Sequence, residues 1–81
     1  MSYAAHWELL VDRAVHKQLH SFPKKDAERI LEAIAEMAVN PYSGDIRKMR
    51  GEEDVWRRRI GAYRVFYEVL SDERIVSVCH V

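Results

Sequence analysis

Arg57-Arg58-Arg59-Ile60-Gly61-Ala62-Tyr63-Arg64-Val65-Phe66-Tyr67-Glu68-Val69 is the stretch that decides the fold. Aromatic and β-branched residues on both sides of Gly61-Ala62 are typical of a β-hairpin, and glycine at the first of two central positions favours a type II′ turn. A two-residue turn places Ile60 opposite Tyr63. The remaining predicted pairs are Arg59 with Arg64, Arg58 with Val65, Arg57 with Phe66 and Trp56 with Tyr67.

Alternation along the two strands sorts these side chains onto two faces. One face collects Trp56, Ile60, Tyr63, Val65, Tyr67 and Val69. The other collects Arg57, Arg59 and Arg64. Like charges directly opposite one another destabilise a sheet by up to roughly 1 kcal/mol, so this face is predicted to bind an anion, most simply a phosphate. The alternative is a solvated face on which arginine stems lie along the sheet and Glu68 balances the charge.

Arg58 does not fit this division, because alternation places it on the apolar face. An unpaired buried guanidinium is too costly to accept. Arg58 must therefore pair with an acid, reach an edge of the sheet, or indicate a wrong register, and Glu8 and Glu36 are the candidate partners.

Length and composition predict one domain spanning residues 1–81, which contains 48% hydrophobic and 32% charged residues. No apolar run approaches the length of a membrane span, and the N-terminus lacks the features of a signal peptide, so a cytoplasmic protein without membrane contact is expected. The single cysteine, Cys79, is interpreted as an inert buried thiol rather than a nucleophile. The formal net charge is zero, but basic residues are concentrated between Arg47 and Arg64.

The N-terminal half reads as one strand followed by two helices. Tyr3 to Val11 alternates as a strand, and Asp12 is the predicted N-cap of a short helix that stops before Pro23. The second helix is predicted from Pro23 to about Asn40. Its predicted apolar stripe consists of Ala27, Ile30, Leu31, Ile34, Met37 and Ala38.

The C-terminal half reads as strands. Ile46 to Arg50 is a short strand or an extended approach to the sheet. Three further strands are predicted at Val55 to Ile60, Tyr63 to Leu70 and Arg74 to Val81. The predicted class is α+β in the order β-α-α-β-β-β, with an antiparallel sheet and two helices packed on its Trp56 face. His16 and His20 are four apart, but no third ligand is visible, so neither a metal site nor a cofactor is expected.

These residues resemble the RelE/ParE superfamily of toxins from toxin–antitoxin operons, whose members share a RelE-like microbial RNase fold. The resemblance rests on a starting strand, an Ala-Val-x-x-x-Leu helix ending in Phe22-Pro23, and a helix closing on Asn40-Pro41. It continues through Lys48-Met49-Arg50-Gly51 and Val55-Trp56-Arg57-x-Arg59-Ile60-Gly61-x-Tyr63-Arg64-Val65-x-Tyr67. Relative to that pattern, the chain lacks the C-terminal tail with its Arg and Tyr.

The resemblance implies a type II toxin with one of two activities. RelE-like members enter the ribosomal A site and cut mRNA without metal, the ribose 2′-hydroxyl attacking the adjacent phosphate. ParE-like members inhibit DNA gyrase. Both are silenced by a cognate antitoxin. The first activity is preferred because of the basic face, and an attenuated copy or an inactive remnant that only binds antitoxin are further alternatives.

Carried over to this sequence, the resemblance places Arg57, Arg59 and Arg64 in the catalytic site, and Lys48 and Arg50 on the approach of the RNA. Phe66 or Tyr42 is available for stacking on a base. Arginine is a poor general base, which leaves His80 as the titratable candidate. A three-residue final turn places His80 opposite Arg64 on the basic face, whereas a four-residue turn sends it to the core side.

Overall fold

The computed structural model describes residues 7–51 and 53–81. Its elements are β1 (Glu8–Val11), α1 (Arg13–His20), α2 (Lys24–Val39), β2 (Ile46–Lys48), β3 (Val55–Ile60), β4 (Tyr63–Leu70) and β5 (Ile75–His80). The strands form one sheet in the order β1-β5-β4-β3-β2. The α+β class is confirmed, while the Tyr3–His6 part of the predicted first strand lies outside the described residues.

The prediction of a wholly antiparallel sheet is wrong, because β1 runs parallel to β5, with Glu8 beside Ile75 and Val11 beside Val78. Short turns force neighbouring strands to run antiparallel, as they do from β2 to β5. The two helices join β1 to the sheet instead, so no hairpin fixes its direction. Since Ile46–Lys48 is a true strand, the order is β-α-α-β-β-β-β.

The hairpin register is confirmed at every predicted pair, from Ile60 opposite Tyr63 to Trp56 opposite Tyr67. Gly61 has a φ of 60° and Ala62 does not share the positive φ, which is the pattern that a type II′ turn requires. The hairpin therefore has the two faces that the sequence predicted.

Asp12 caps α1 through its carboxylate, which accepts a hydrogen bond from the Ala14 amide at 2.8 Å. The helix buries Val15 and Leu19. The core side of α2 consists of Ile30, Ala33, Ile34, Met37 and Ala38. Leu31 is 47% exposed, so its assignment to the apolar stripe is wrong; one residue along a helix turns a side chain about 100° away from its neighbour.

Both helices cover the Trp56 face of the sheet, as predicted. The core combines Val15, Leu19, Ile30, Ile34 and Met37 of the helices with Val65, Tyr67, Val69, Val76 and Val78 of the strands. This leaves the opposite face of the sheet, called the outer face below, without a covering layer among the described residues. Within these ranges no helix has the length and apolarity needed to cross a membrane.

Tyr67 lies at the centre of this core and is fully buried. Its hydroxyl donates a hydrogen bond to the Pro41 carbonyl at 2.7 Å, which ties β4 to the segment after α2. Burial raises the pKa of Tyr67 to about 12, although the nearby Arg58 charge opposes the rise. Near the hairpin turn, the Tyr63 hydroxyl donates to Asp26 at 2.7 Å, and this bond raises the pKa of Tyr63.

Candidate active site

The outer face carries a row of side chains that crosses four strands. Arg47 is paired with Arg57, Arg57 with Phe66, and Phe66 with His80. Residues paired in this way lie side by side on one face of a sheet, within roughly 5 Å of each other. The row therefore combines two guanidinium groups with two aromatic rings.

Arg59 and Arg64 form a second pair on the same face, directly opposite each other and next to the turn. Both are exposed. Among the described residues the one ion pair joins Arg58 to Glu36, so no described carboxylate neutralises either arginine. Glu68, which was considered as a balancing charge, lies opposite Val55 and makes no such pair.

His80 reaches this face through an irregularity in β5. The final turn has four residues, since Leu70 pairs with Ile75. Continuing the Tyr67–Val78 register would place His80 opposite Val65, on the core side. Instead the register shifts between Phe66 and Tyr67, and His80 pairs with Phe66. This β-bulge, with Cys79 as the extra residue, returns the imidazole to the outer face.

The imidazole of His80 then stacks on Phe66. The ring centroids are 4.4 Å apart and the ring planes differ by 18°. His80 remains exposed and Phe66 is half-buried. The stack places the imidazole on the same face as Arg57, two strands away from it, with Phe66 between them.

Gln18 of α1 holds the chain immediately after His80. Its amide nitrogen donates to the Val81 carbonyl at 2.9 Å, and its amide oxygen accepts from the Val81 amide at 3.0 Å. Val81 itself packs against the core. The clamp therefore connects the helical layer to the end of β5 and restricts where His80 lies.

Arg58 lies on the helix-covered face, as alternation predicted, and its partner is Glu36 rather than Glu8. A guanidinium nitrogen of Arg58 lies 2.7 Å from Glu36 Oε1, and another donates to the Ala33 carbonyl at 3.3 Å. A Cβ on Gly44 would approach the Arg58 Nε to 2.6 Å. Arg58 is thus a structural residue that joins α2, the segment after it, and β3.

The other predicted contact residues are more scattered. Lys48 pairs with Trp56, so it belongs to the helix-side face at the sheet edge, although it is exposed; Arg50 is exposed in the turn after β2. Tyr42 packs edge-on between Trp7 and Trp56, at centroid distances of 6.3 and 5.5 Å. The structure therefore brings together Arg57, Arg59, Arg64, Phe66 and His80, but not Lys48 or Tyr42.

Sequence reasoning did not assign Arg47 or Gln18 to the site. Arg47 was counted among the basic residues, and alternation along β2 would have placed it opposite Arg57 had that strand been paired with β3. Gln18 carried no such signal, because its role depends on a contact between α1 and residue 81. No cluster of three or more metal-ligating side chains occurs in residues 7–51 and 53–81.

The fold is shared with a class of small toxins. A chain of the archaeal RelE-RelB complex from Pyrococcus horikoshii matches with a TM-score of 0.80 and 28% identity, over 91% of this chain and 90% of that one. A chain of the E. coli RelBE toxin-antitoxin complex matches with a TM-score of 0.73 over 91% and 92% of the two chains. At 21% identity, the second likeness concerns the fold alone.

Sequence comparison leads to the family. A candidate toxin of Methanocaldococcus jannaschii, RelE1, is 34% identical over 71 residues, which cover 84% of this chain and 79% of that protein. The family model described as the ParE toxin of the type II toxin-antitoxin system, parDE, matches residues 3–81. This chain therefore belongs to the ParE toxin family, and the predicted membership of the RelE/ParE superfamily is confirmed.

Proposed function

We propose that this toxin enters the ribosome and cleaves mRNA. The observation that carries the proposal is the outer face, where Arg57, Arg59 and Arg64 share one side of the sheet with the Phe66–His80 stack. A guanidinium fork binds two phosphate oxygens at once, and an aromatic ring provides a platform for an unstacked base. Together these groups suit a single strand of RNA.

The reaction is attack of a ribose 2′-hydroxyl on the adjacent phosphorus. A bond forms from the 2′-oxygen to phosphorus while the bond from phosphorus to the 5′-oxygen breaks. Negative charge grows on the phosphoryl oxygens, and Arg59 and Arg64 stabilise it as exposed, unneutralised cations. Arg57 binds the same phosphate or its neighbour from the adjacent row.

A proton must leave the 2′-hydroxyl and another must reach the departing 5′-oxygen. Arginine stays protonated in proteins and serves this purpose poorly. His80 is the titratable side chain that the structure places against Phe66 on this face. We assign His80 the removal of the 2′-hydroxyl proton, while water supplies the proton to the 5′-oxygen. Phe66 fixes the plane of the imidazole and stacks on a neighbouring base.

Gyrase inhibition is the second candidate, and two observations favour it. The matching family model describes a ParE toxin, and the paired positions of the outer face hold arginines without a lysine that could act as an acid or base. A protein that inhibits gyrase by binding needs no acid–base pair. The basic face would then contact DNA or an acidic surface of the enzyme.

One pair of assays separates the candidates. Purified toxin is added to a translating ribosome system, and in parallel to a gyrase supercoiling reaction. Codon-phased cuts in the mRNA support the nuclease, and blocked supercoiling with intact mRNA supports the gyrase inhibitor. If both reactions proceed unchanged, the chain is a remnant that retains only antitoxin binding.

The partner is a cognate antitoxin, by analogy with the RelE-RelB complex. We expect an amphipathic segment to cover the sheet edge or the helices, and acidic side chains to reach the outer face. Because a ligand that binds only the folded state stabilises it by mass action, the antitoxin raises the melting temperature. Co-expression with the product of the adjacent operon gene tests this directly.

A further inference from the structure

A second basic surface lies on the helical layer, away from the outer face. Arg13, His16, Lys17 and His20 occupy positions i, i+3, i+4 and i+7 of α1, and all four are exposed. This spacing places them on one side of the helix, while Val15 and Leu19 are buried in the core. We call these four residues the α1 stripe.

No acidic residue follows Asp12 until Asp26. Asp12 is engaged by the Ala14 amide, and Asp26 by the Tyr63 hydroxyl. The exposed Lys24 and Lys25 at the start of α2 extend the basic surface. Since the one ion pair among the described residues is Arg58 with Glu36, no described carboxylate neutralises the stripe.

Helix stability alone does not account for this arrangement. Cations are favourable in the last turn of a helix, which explains Lys17 and His20. Arg13 is in the first turn, where a cation opposes the helix dipole, and the first turn holds no acid. Arg13 and Lys17 are also like charges four residues apart, which weakens a helix.

We propose that the α1 stripe binds the phosphate backbone of RNA, as a second contact independent of the outer face. The inference rests on the proposed function and adds a partner surface to it. Under the proposed function the toxin binds a ribosome, where RNA other than the cleaved strand supplies further phosphates. The stripe spans about 10 Å along the helix axis, enough to reach more than one phosphate.

The α1 stripe contains no exposed large apolar residue, and this argues against a protein partner at this surface. Protein interfaces rely on apolar and aromatic anchors, whereas phosphate contacts need only cations. The exposed large apolar residues of the described chain are Leu10, Leu31, Val39 and Tyr42. None belongs to the α1 stripe, so the stripe offers charge without an anchor.

The test compares two double variants of the full chain with equal net charge. In Arg13→Gln/Lys17→Gln, the stripe loses two cations but keeps the side-chain stems and the helix propensity. In the control, Ala35→Glu/Val39→Glu, two carboxylates are added at exposed positions of α2. Both variants carry a net charge two lower than the parent, and a parent-like circular dichroism spectrum with a cooperative melting transition shows that both fold.

Binding to purified ribosomes is measured between about 50 and 200 mM salt. For each phosphate contact removed, the slope of log affinity against log salt concentration becomes shallower by roughly 0.7 to 0.9. We expect the stripe variant to bind roughly 10-fold more weakly, with a slope shallower by about 1 to 2. The control should retain the affinity of the parent. Cleavage per bound ribosome should be unchanged in the stripe variant, because its outer face is intact.

Equal affinity and slope in the stripe variant and the parent overturn the inference, and so does an equal loss in the control. If the stripe variant binds antitoxin more weakly but binds ribosomes as the parent does, the stripe is a protein-binding surface and the inference is overturned. Ribosome binding that depends on the stripe but is not followed by cleavage overturns only the nuclease proposal. A parent protein that does not bind ribosomes overturns both.

Discussion

The imidazole of His80 lies on the phenyl ring of Phe66, with centroids 4.4 Å apart and planes within 18° of each other. A β-bulge at Cys79 makes this contact possible, because the register on its other side directs position 80 toward the core. The stack adds an imidazole to the face that carries Arg57, Arg59 and Arg64. Substitutions at His80 and Phe66 therefore provide the most direct test of the nuclease proposal.

Replacing His80 by Ala should lower single-turnover mRNA cleavage on ribosomes by about 10²- to 10⁴-fold, the usual range for a lost general acid or base. Phe66→Leu keeps the imidazole but removes its platform, so a smaller loss is expected. Ribosome binding by the His80 variant should remain close to normal. A cleavage rate within twofold of the parent would remove His80 from the mechanism.

The Arg59–Arg64 pair should show opposite effects on activity and stability. Arg64→Thr is expected to lower cleavage by about 10²- to 10³-fold through lost stabilisation of the phosphoryl charge. The same change relieves repulsion between paired cations and should raise the free energy of unfolding by up to about 1 kcal/mol. Arg64→Lys, which keeps the charge but not the fork, should be intermediate in activity. Undiminished cleavage by Arg64→Thr contradicts the assignment.

Gln18→Leu removes both hydrogen bonds to Val81. We expect a loss of about 1 to 3 kcal/mol in the free energy of unfolding, from urea denaturation. The ring-current shift that Phe66 imposes on His80 should shrink in NMR spectra, and cleavage should fall with it. Gln18→Glu, which still accepts from the Val81 amide, is the conservative comparison. Unmoved His80 signals in Gln18→Leu would show that the clamp does not position the imidazole.

The Arg58–Glu36 pair is asymmetric, because the side chain of Arg58 is 13% exposed and that of Glu36 is 58% exposed. Glu36→Ala leaves the covered guanidinium with only the Ala33 carbonyl, and about 1 kcal/mol of stability should be lost. Arg58→Met removes the charge and its requirement for a partner, so its stability should equal or exceed that of Glu36→Ala. Denaturant midpoints for both variants and for the double variant decide this, and a much less stable Arg58→Met would contradict it.

Tyr67 makes the stability depend on pH at the alkaline end. Its pKa is about 12 in the folded chain, against the ordinary 10.0, so the folded state holds the proton more tightly than the unfolded state. The resulting stabilisation is fully present below pH 10 and is lost as the pH rises toward 12, roughly 2 to 3 kcal/mol in all. Tyr67→Phe should be less stable at neutral pH and should lack this component of the decline. Parallel alkaline curves for parent and variant would refute the assignment.

Much of the outer face followed from local sequence. The turn at Gly61-Ala62 fixed the pairing of β3 with β4, and the two-residue alternation of strands then placed Arg57, Arg59 and Arg64 on one side. The same rule identified Arg58 as the misfit that needed an acid. Hairpin register and side-chain alternation act between near neighbours in the chain, which is why one sequence was enough.

His80 and Arg47 show where local rules stop. The turn from Ser71 to Arg74 depends on a φ of 54° at Arg74, which an arginine in the sequence does not predict. A turn of four residues would direct His80 toward the core, and the bulge at Cys79 directs it to the outer face instead. Arg47 joins the row only because β2 pairs with β3. Such features are settled by packing against the rest of the molecule rather than by the residues themselves.

By itself the sequence determined the element types, the central hairpin and the common face of the three arginines, because turn chemistry and strand period are encoded over a few residues. Only the tertiary structure decided that β1 runs parallel to β5, that Glu36 rather than Glu8 holds Arg58, and that His80 meets Phe66. Each of these brings together segments far apart in the chain. Which of them meet depends on how the helices and sheet close around a shared core.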